Sequence, residues 1–263
     1  MSQKIFVVKI GGNVIDDEIN LRRFLEDFSK IDAPKILIHG GGKIATRIGD
    51  KLGIVSQYVD GRRITDDATI DLVTMVYGGL INKKIVAQLQ NIGCNAIGLT
   101  GADGNIIPAH KRPVKDIDYG WVGDVETEKI NTKLLEQLLL AGVSPILAPL
   151  THDQEGHILN TNADTIASSI AVSLSKTFSV RLIYCFEKKG ILENIDDENS
   201  VITSIDKKSY AELKAENKLF AGILPKLDNA FSAIDLGVKE VLIGHADDLL
   251  VNTTNTTKGT LIQ

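Results

Sequence analysis

Ile5-Phe6-Val7-Val8-Lys9-Ile10-Gly11-Gly12 is the stretch that decides the predicted fold of this chain. Five of the six residues from Ile5 to Ile10 are apolar, which is typical of a strand buried on both faces of a parallel sheet. The two glycines predict a tight turn at the carboxyl end of that strand. Lys9 lies just before this turn, where α/β proteins bind ligands. Its side chain either reaches from the strand end to solvent or forms part of an anion site, and both interpretations stand at this point.

Strand and helix patterns alternate along most of the chain, which favours a parallel sheet covered on both faces. Apolar residues recur at helical spacing in 20–29 and 132–141, and residues 68–91 predict one long helix with either a break or close packing at Gly78-Gly79. Asp60-Gly61 predicts the turn of a hairpin over residues 55–64. Further short strands are predicted at 35–39, 95–99, 143–150, 180–186, 201–203 and 238–243.

The composition excludes several classes of protein. The 263 residues are 43% hydrophobic and 24% charged, as in ordinary globular proteins. A net charge of −5 argues against a nucleic-acid-binding surface, so any site for a polyanion must be local. There is no signal peptide and no apolar run of about 20 residues, which predicts a cytoplasmic protein without a membrane partner. Cys94 and Cys185 are predicted to be free thiols.

Two glycine-rich turns follow buried strands and lead into helices. They are Lys9-Ile10-Gly11-Gly12 and His39-Gly40-Gly41-Gly42. Glycine lets ligand oxygen atoms approach backbone N–H groups, and the start of a helix adds partial positive charge. Neither turn matches the Walker loop or the dinucleotide-binding fingerprint. Together they indicate an anion site of another kind.

Three further groups of polar residues lie at predicted loop positions. Arg63 suits a substrate carboxylate as a bidentate donor, although Arg62 beside it is an equal candidate, and either side chain is also compatible with a plain surface position. Residues 160–164, Asn-Thr-Asn-Ala-Asp, are also explained as a simple helix N-cap. Lys226 lies in the first turn of a helix after a proline, where its charge opposes the helix dipole and requires a compensating anion.

These motifs occur in the order expected of the amino acid kinase family, which the chain resembles from its first strand to Gly259-Thr260. The matching segments are residues 9–12, 39–42, 61–65, 160–164 and 222–226. The resemblance implies a single domain over residues 1–263 that is a three-layer α/β/α sandwich around a mainly parallel sheet. It also implies that the N-terminal half, about 1–175, binds an acylated amino acid and that the C-terminal half, about 176–263, binds ATP.

Within this family the chain is most similar to members that phosphorylate the γ-carboxylate of N-acetyl-L-glutamate with ATP in arginine biosynthesis. A carboxylate is already ionised at neutral pH, so the reaction needs positioning and cations rather than a general base. The resemblance makes Lys9 and Lys226 the lysines that stabilise the transferring phosphoryl group and Asp164 the residue that orients them.

The same resemblance implies the binding residues. The substrate-binding set comprises backbone N–H groups and two side chains, one for the α-carboxylate and one for the acyl-amino part: Gly41, Gly42, Arg63 and Asn160. The nucleotide-binding set consists of glycines at strand and helix ends: Gly11, Gly12, Gly190 and Gly222. Mg²⁺ is expected to arrive with ATP and to be held mainly by phosphate oxygens, with no metal ligands from the protein.

The chain departs from the family in two places. Relatives usually carry a Thr/Ser-Asp-Val-x-Gly sequence after the strand below the nucleotide, whereas residues 184–190 read Tyr-Cys-Phe-Glu-Lys-Lys-Gly. Either Lys188 or Lys189 contacts ATP phosphates, or both are simply solvated. Relatives inhibited by arginine carry an additional N-terminal helix that links dimers into hexamers. The short N-terminus here predicts a homodimer without that feedback.

Two alternatives remain on sequence grounds. The acceptor is another acylated acidic amino acid, such as N-succinylglutamate or a carrier-linked aminoadipate, or the protein is a non-catalytic amino-acid or nucleotide sensor with this fold. Retention of both Lys9 and Lys226 argues against the sensor, which has no use for a pair of transition-state cations.

Overall fold

The computed structural model describes residues 2–59, 61–194, 196–215 and 223–263. Within this part of the chain the strands are short and mostly buried, and the longest two are the first and the eleventh. The strands are β1 (Lys4–Ile10), β2 (Lys35–His39), β3 (Tyr58–Val59), β4 (Arg62–Arg63), β5 (Ala96–Leu99), β6 (Ala109–Lys111), β7 (Gly123–Val125), β8 (Ser144–Leu147), β9 (Leu150–His152), β10 (Ile158–Asn160), β11 (Ser179–Phe186), β12 (Ser204–Ile205), β13 (Glu240–His245) and β14 (Thr260–Ile262).

The helices connect successive strands of the main sheet or pack on its faces. They are α1 (Gly12–Asp16), α2 (Glu18–Ser29), α3 (Gly42–Leu52), α4 (Asp67–Val73), α5 (Asn82–Asn91), α6 (Thr132–Leu140), α7 (Ala163–Leu174), α8 (Lys207–Ala215), α9 (Leu224–Asp235) and α10 (Leu249–Asn252). A π-helix, Thr74–Ile81, joins α4 to α5.

Eight strands form the central sheet in the order β12-β14-β13-β11-β1-β2-β8-β5. Its pairs are parallel except for β13 with β14. Side chains alternate between the faces, so Val7 and Leu182 belong to one hydrophobic core, whereas Val8 and Ile183 belong to the other. Helices α7 and α9 cover the first face, and α2 and α5 cover the second. The predicted three-layer α/β/α sandwich is therefore confirmed.

Two of the predicted elements are divided in the structure, at Pro149 and around Gly78-Gly79, whereas a predicted hairpin is present. The strand predicted over 143–150 is two strands, because Pro149 lacks an N–H group and the chain turns there, with Leu150 N donating to the carbonyl oxygen of Ala148 at 2.8 Å. The single helix predicted over 68–91 is interrupted by the π-helix, which contains Gly78-Gly79. The hairpin predicted over 55–64 is present as β3 and β4.

One further strand lies later than predicted, and one predicted turn is only partly described. The strand predicted at 201–203 lies slightly later as β12, and Val201 forms only an isolated bridge with Leu192. Asp60 of the predicted hairpin turn lies outside the described residues, while Gly61 has a φ of 73°, as that turn requires. Across the described ranges, no helix is long and apolar enough to cross a membrane.

A buried ion pair fixes the C-terminal half of the sheet. Arg181 in β11 is 3% exposed, and its Nε lies 2.5 Å from Oε2 of Glu240 in β13. Its Nη1 donates to the carbonyl oxygens of Asn252 at 2.8 Å and Thr254 at 2.6 Å. The guanidinium thus ties β11 and β13 to the end of α10 and the residues after it.

Arg181→Met should lower the free energy of unfolding by about 3 kcal/mol, because it leaves a largely buried carboxylate and two carbonyls without their donor. The measurement is chemical denaturation followed by circular dichroism. Arg22→Met is the matched control, since the Arg22–Glu26 pair lies at the surface and should contribute little. Equal stability losses in the two variants would contradict the structural role given to Arg181.

Candidate active site

Two glycine-rich turns meet at the carboxyl ends of β1 and β2, which are neighbours in the sheet. Gly40 N donates to the carbonyl oxygen of Ile10 at 3.2 Å, so the second turn is fixed against the first. Gly41 has a φ of 153°, and a Cβ atom there would lie 2.3 Å from Cδ1 of Ile81. A side chain is therefore excluded at Gly41, and the turn presents its backbone to the adjoining cavity at the start of α3.

Beneath the second turn, His39 uses both ring nitrogens in hydrogen bonds. Nδ1 lies 2.8 Å from the carbonyl oxygen of Gly40 and must donate, because a carbonyl oxygen only accepts. Nε2 then accepts from Nδ2 of Asn82 at 3.1 Å. Complete burial lowers the pKa of His39 to about 4, although the Gly40 hydrogen bond opposes this shift. A neutral imidazole of one defined tautomer thus links the glycine turn to α5.

Lys9, at the end of β1, forms an ion pair with Asp164, in the first turn of α7. Its Nζ lies 2.8 Å from Oδ1 of Asp164, and Lys9 is only 8% exposed. The angle at Oδ1 is unfavourable for a hydrogen bond, so the contact is an attraction between opposite charges. Asn162 caps α7 by accepting from Asp164 N and Thr165 N at 2.8 and 3.2 Å, which fixes the position of the aspartate.

Lys226 reaches the same place from the first turn of α9, which packs beside α7 on one face of the sheet. Burial lowers the pKa of Lys226; the Asp164 carboxylate opposes this shift, and the charge of Lys9 adds to it. The three side chains therefore interact electrostatically. The sequence indicated that a lysine at this helix start needs an anion, and Asp164 provides one.

A cavity of about 240 Å³ lies between the second glycine turn and the β3–β4 hairpin. Arg62 and Arg63 both line it; Arg63 is 6% exposed, whereas Arg62 is exposed, so Arg63 is the more firmly held of the two candidates left open by the sequence. Nη2 of Arg63 donates to the carbonyl oxygen of Gly42 at 2.9 Å and to Oγ1 of Thr46 at 3.0 Å, and Nη1 donates to Ser56. These bonds fix the guanidinium beside Gly41 and Gly42.

Asn160, the last residue of β10, lines the same cavity from the opposite side. Its Nδ2 donates to Oγ1 of Thr65 at 3.0 Å, and its backbone N–H donates to the carbonyl oxygen of Trp121 at 2.9 Å. Trp121 N in turn donates to the carbonyl oxygen of Thr65 at 2.7 Å. The segments that contribute Arg63 and Asn160 are thus connected by hydrogen bonds.

Sequence reasoning missed other residues that line this cavity. Arg112, which directly follows β6, and Asp124 in the paired strand β7 form an ion pair with Nη2 2.5 Å from Oδ1. Tyr58 and Tyr77 complete the wall. The π-helix that carries Tyr77 has no distinctive sequence pattern, and no sequence motif pointed to Arg112 or Asp124.

A second cavity of about 510 Å³ adjoins the first and shares Gly42 with it. Lys9 and Lys226 both line it, as do Gly11 and Gly12 of the first glycine turn. Cys185 also lines it, but burial raises the pKa of this thiol to about 12, against a smaller opposing effect of Lys9. A thiol with that pKa is not a nucleophile at neutral pH, so the reactive features of this cavity are its cations.

A third, largely apolar cavity of about 140 Å³ lies beyond Lys226. Gly190 lines it and also has a packing role, since a Cβ atom there would lie 2.8 Å from Oγ1 of Thr260. Lys188 lines this cavity and lies 3.8 Å from Glu198, while Lys189 donates to Asn199. Gly222 lies outside the described residues. The predicted site residues that are described therefore surround three adjoining cavities, with the two lysines and Asp164 in the middle.

Comparison with known proteins agrees with this geometry. A family model described as the amino acid kinase family matches residues 4–245. The chain is 54% identical over 257 residues to acetylglutamate kinase from Cytophaga hutchinsonii, covering 97% of each chain. It is 51% identical over 263 residues to acetylglutamate kinase from Phocaeicola vulgatus, covering all of both.

Solved structures show the same fold. N-acetylglutamate synthase from Neisseria gonorrhoeae, complexed with coenzyme A and N-acetyl-glutamate, superimposes with a TM-score of 0.82 at 23% identity, over 99% of this chain and 59% of that one. At this identity the likeness concerns the fold alone. The match of the family model to nearly the whole chain, together with relatives above half identity at full length, shows that the chain belongs to the amino acid kinase family.

Proposed function

We propose that this protein transfers the γ-phosphoryl group of ATP to the γ-carboxylate of N-acetyl-L-glutamate, and that it does so in the cytoplasm as a step of arginine biosynthesis. The observation that carries the proposal is the Lys9–Asp164–Lys226 cluster at the junction of two cavities. The full-length identity of 51–54% to proteins named acetylglutamate kinase supports the choice of acceptor.

The acceptor occupies the 240 Å³ cavity lined by Arg63 and Asn160, within the N-terminal half of about 1–175. The backbone N–H groups of Gly41 and Gly42, at the start of α3, suit the γ-carboxylate, because that position combines free donors with partial positive charge. Arg63 suits the α-carboxylate as a bidentate donor that is already held in place. Asn160 faces the same cavity and suits the acyl-amino group.

The nucleotide occupies the other two cavities, and the C-terminal half of about 176–263 supplies most of its site. Gly11 and Gly12 would face the phosphates, and Gly190 the apolar cavity suited to the base. The role of Gly222 is proposed from its motif alone. We also propose that Mg²⁺ enters with ATP and is held mainly by phosphate oxygens, which are ligands that this cation prefers.

The reaction requires no general base, since the carboxylate is already an anion. Lys9 and Lys226 approach the transferring group from β1 and α9 and neutralise charge that spreads over its oxygens, an effect of on the order of 3 kcal/mol for each contact. Asp164 keeps Lys9 at the cavity wall and offsets the repulsion between the two ammonium groups.

Incubation with ATP and Mg²⁺ should give an acyl phosphate that hydroxylamine traps as a hydroxamate. The assay compares N-acetyl-L-glutamate, N-succinyl-L-glutamate and N-acetyl-aminoadipate, and we expect N-acetyl-L-glutamate to have the highest kcat/KM. A preference for either of the other acceptors would correct the acyl or side-chain assignment. Absence of hydroxamate with all three would overturn the proposed kinase activity.

Lys226→Ala should lower kcat by about 100-fold or more while the KM for N-acetyl-L-glutamate changes little, because Lys226 lies away from the acceptor cavity. Steady-state kinetics measure both values. Lys207→Ala is the control, since Lys207 is exposed and pairs with Asp235 at the far end of α9. A Lys226→Ala variant with nearly normal kcat would refute its role.

We further propose that the protein is a homodimer. Met75 and Leu80 are 57% and 50% exposed, and their spacing of five residues places them on one face of the π-helix. Light scattering should give twice the 28.5 kDa mass of the chain, and Met75→Glu should shift the protein toward the monomer. A monomeric or hexameric mass for the unaltered protein would contradict this proposal.

A further inference from the structure

The aromatic ring of Phe186 lies between the two lysines. The Nζ of Lys226 is 3.7 Å from the ring centroid, and the Nζ of Lys9 is 5.2 Å from it. Both distances are within the range of cation–π attraction, in which the negative face of a ring stabilises an ammonium group. Phe186 is thus the one described aromatic residue that contacts both cations of the cluster.

The register of the sheet explains this position. Lys9 pairs with Tyr184 across β1 and β11, and Phe186 follows two residues later on the same face. Helices α7 and α9, which carry Asp164 and Lys226, cover that face. As a result Asp164, Tyr184, Phe186 and Lys226 line one small cavity together.

Tyr184 packs against the ring of Phe186. The two rings stack with centroids 6.2 Å apart and planes 20° apart. The Tyr184 hydroxyl donates to the carbonyl oxygen of Asp164 at 3.3 Å, and burial raises the pKa of this phenol, which keeps it protonated as a donor. Tyr184 thus contacts both the Asp164 backbone and Phe186, and Phe186 contacts both lysines. Lys9 in turn pairs with the Asp164 side chain.

One carboxylate does not neutralise two ammonium groups. Among the residues that the structure describes, Asp164 is the only acidic side chain paired with Lys9, so the cluster keeps an excess positive charge. A ring face adds attraction without adding a formal charge, so it orders the lysines and leaves their charge available to a phosphoryl group. A carboxylate in the same position would instead reduce that charge.

We propose that Phe186 is a positioning residue for phosphoryl transfer. Its ring face is a platform, meaning a surface that keeps both lysine ammonium groups directed at the 510 Å³ cavity that they line. This inference rests on the proposed kinase function. Phe186 also lines the apolar cavity assigned to the base, so a role as a simple wall of the nucleotide site is the competing explanation. The two explanations predict different effects of removing the ring. Loss of a platform lowers kcat, whereas loss of a wall raises the KM for ATP.

The test compares Phe186→Leu, which keeps an apolar side chain without a ring, with Phe186→Tyr, which keeps the ring. We expect Phe186→Leu to lower kcat about tenfold with KM for ATP and acceptor nearly unchanged, and Phe186→Tyr to retain kcat. Phe178→Leu is the matched control: it removes a ring from the same core just before β11, away from the lysines, and should leave kcat unchanged.

The pH profile adds an independent readout. Burial already lowers the pKa of Lys226, and removing the ring face removes a stabiliser of its charged form, so the pKa should fall further. The alkaline limb of kcat should therefore move to lower pH in Phe186→Leu and stay in place in Phe186→Tyr. Loss of packing alone would let water reach Lys226 and would move this limb in the opposite direction, to higher pH.

Each outcome has one meaning. If the unaltered protein forms no hydroxamate, the proposed function fails. If it is active and Phe186→Leu has the same kcat and pH profile, or changes only the KM for ATP, the platform is refuted. A loss of kcat in Phe186→Leu that Phe186→Tyr does not share, with an unshifted thermal unfolding midpoint in both variants, supports it.

Discussion

The Lys9–Asp164 ion pair is the interaction on which the rest of the site depends. A lysine that is 8% exposed at the end of a central strand is costly unless an anion lies beside it. The anion comes from α7, which crosses β1 and β11 on that face, and its position in the first turn is favourable for a carboxylate because of the helix dipole. The charge of Lys9 thus constrains where α7 begins, and the cap at Asn162 fixes that start.

The proposed acceptor side follows a different rule, since its side chains are held in place by hydrogen bonds within the protein. Arg63 bonds Gly42, Thr46 and Ser56, and neutral His39 bonds Gly40 and Asn82. Groups already held in place lose little freedom when a ligand binds, so more of the binding energy is retained. The two sides meet at Gly42, which lines both the acceptor cavity and the cavity of the lysines.

The sequence was sufficient for features set by local pattern. Apolar runs predicted β1, β2, β11 and β13, and the glycines marked the turns, because strand burial and turn geometry act over a few residues. It could not distinguish Arg62 from Arg63, which required the register of a two-residue strand. It also missed the Arg112–Asp124 pair, twelve residues apart on a hairpin whose position depends on tertiary contacts.

The net charge of this chain is negative, whereas the charge around the site is positive, which explains how an acidic protein can hold a polyanion. The chain carries a net charge of −5, yet the described lining of the cavity at the centre of the site includes Lys9, Lys43, Lys188 and Lys226 and one acidic side chain, Glu187. Charges lining a concave, partly desolvated surface act on a ligand more strongly than charges spread over the exterior. Within loop residues 184–190 the charges of Glu187 and Lys188 offset each other, so the positive excess comes from Lys9, Lys43 and Lys226, which lie on elements outside the loop.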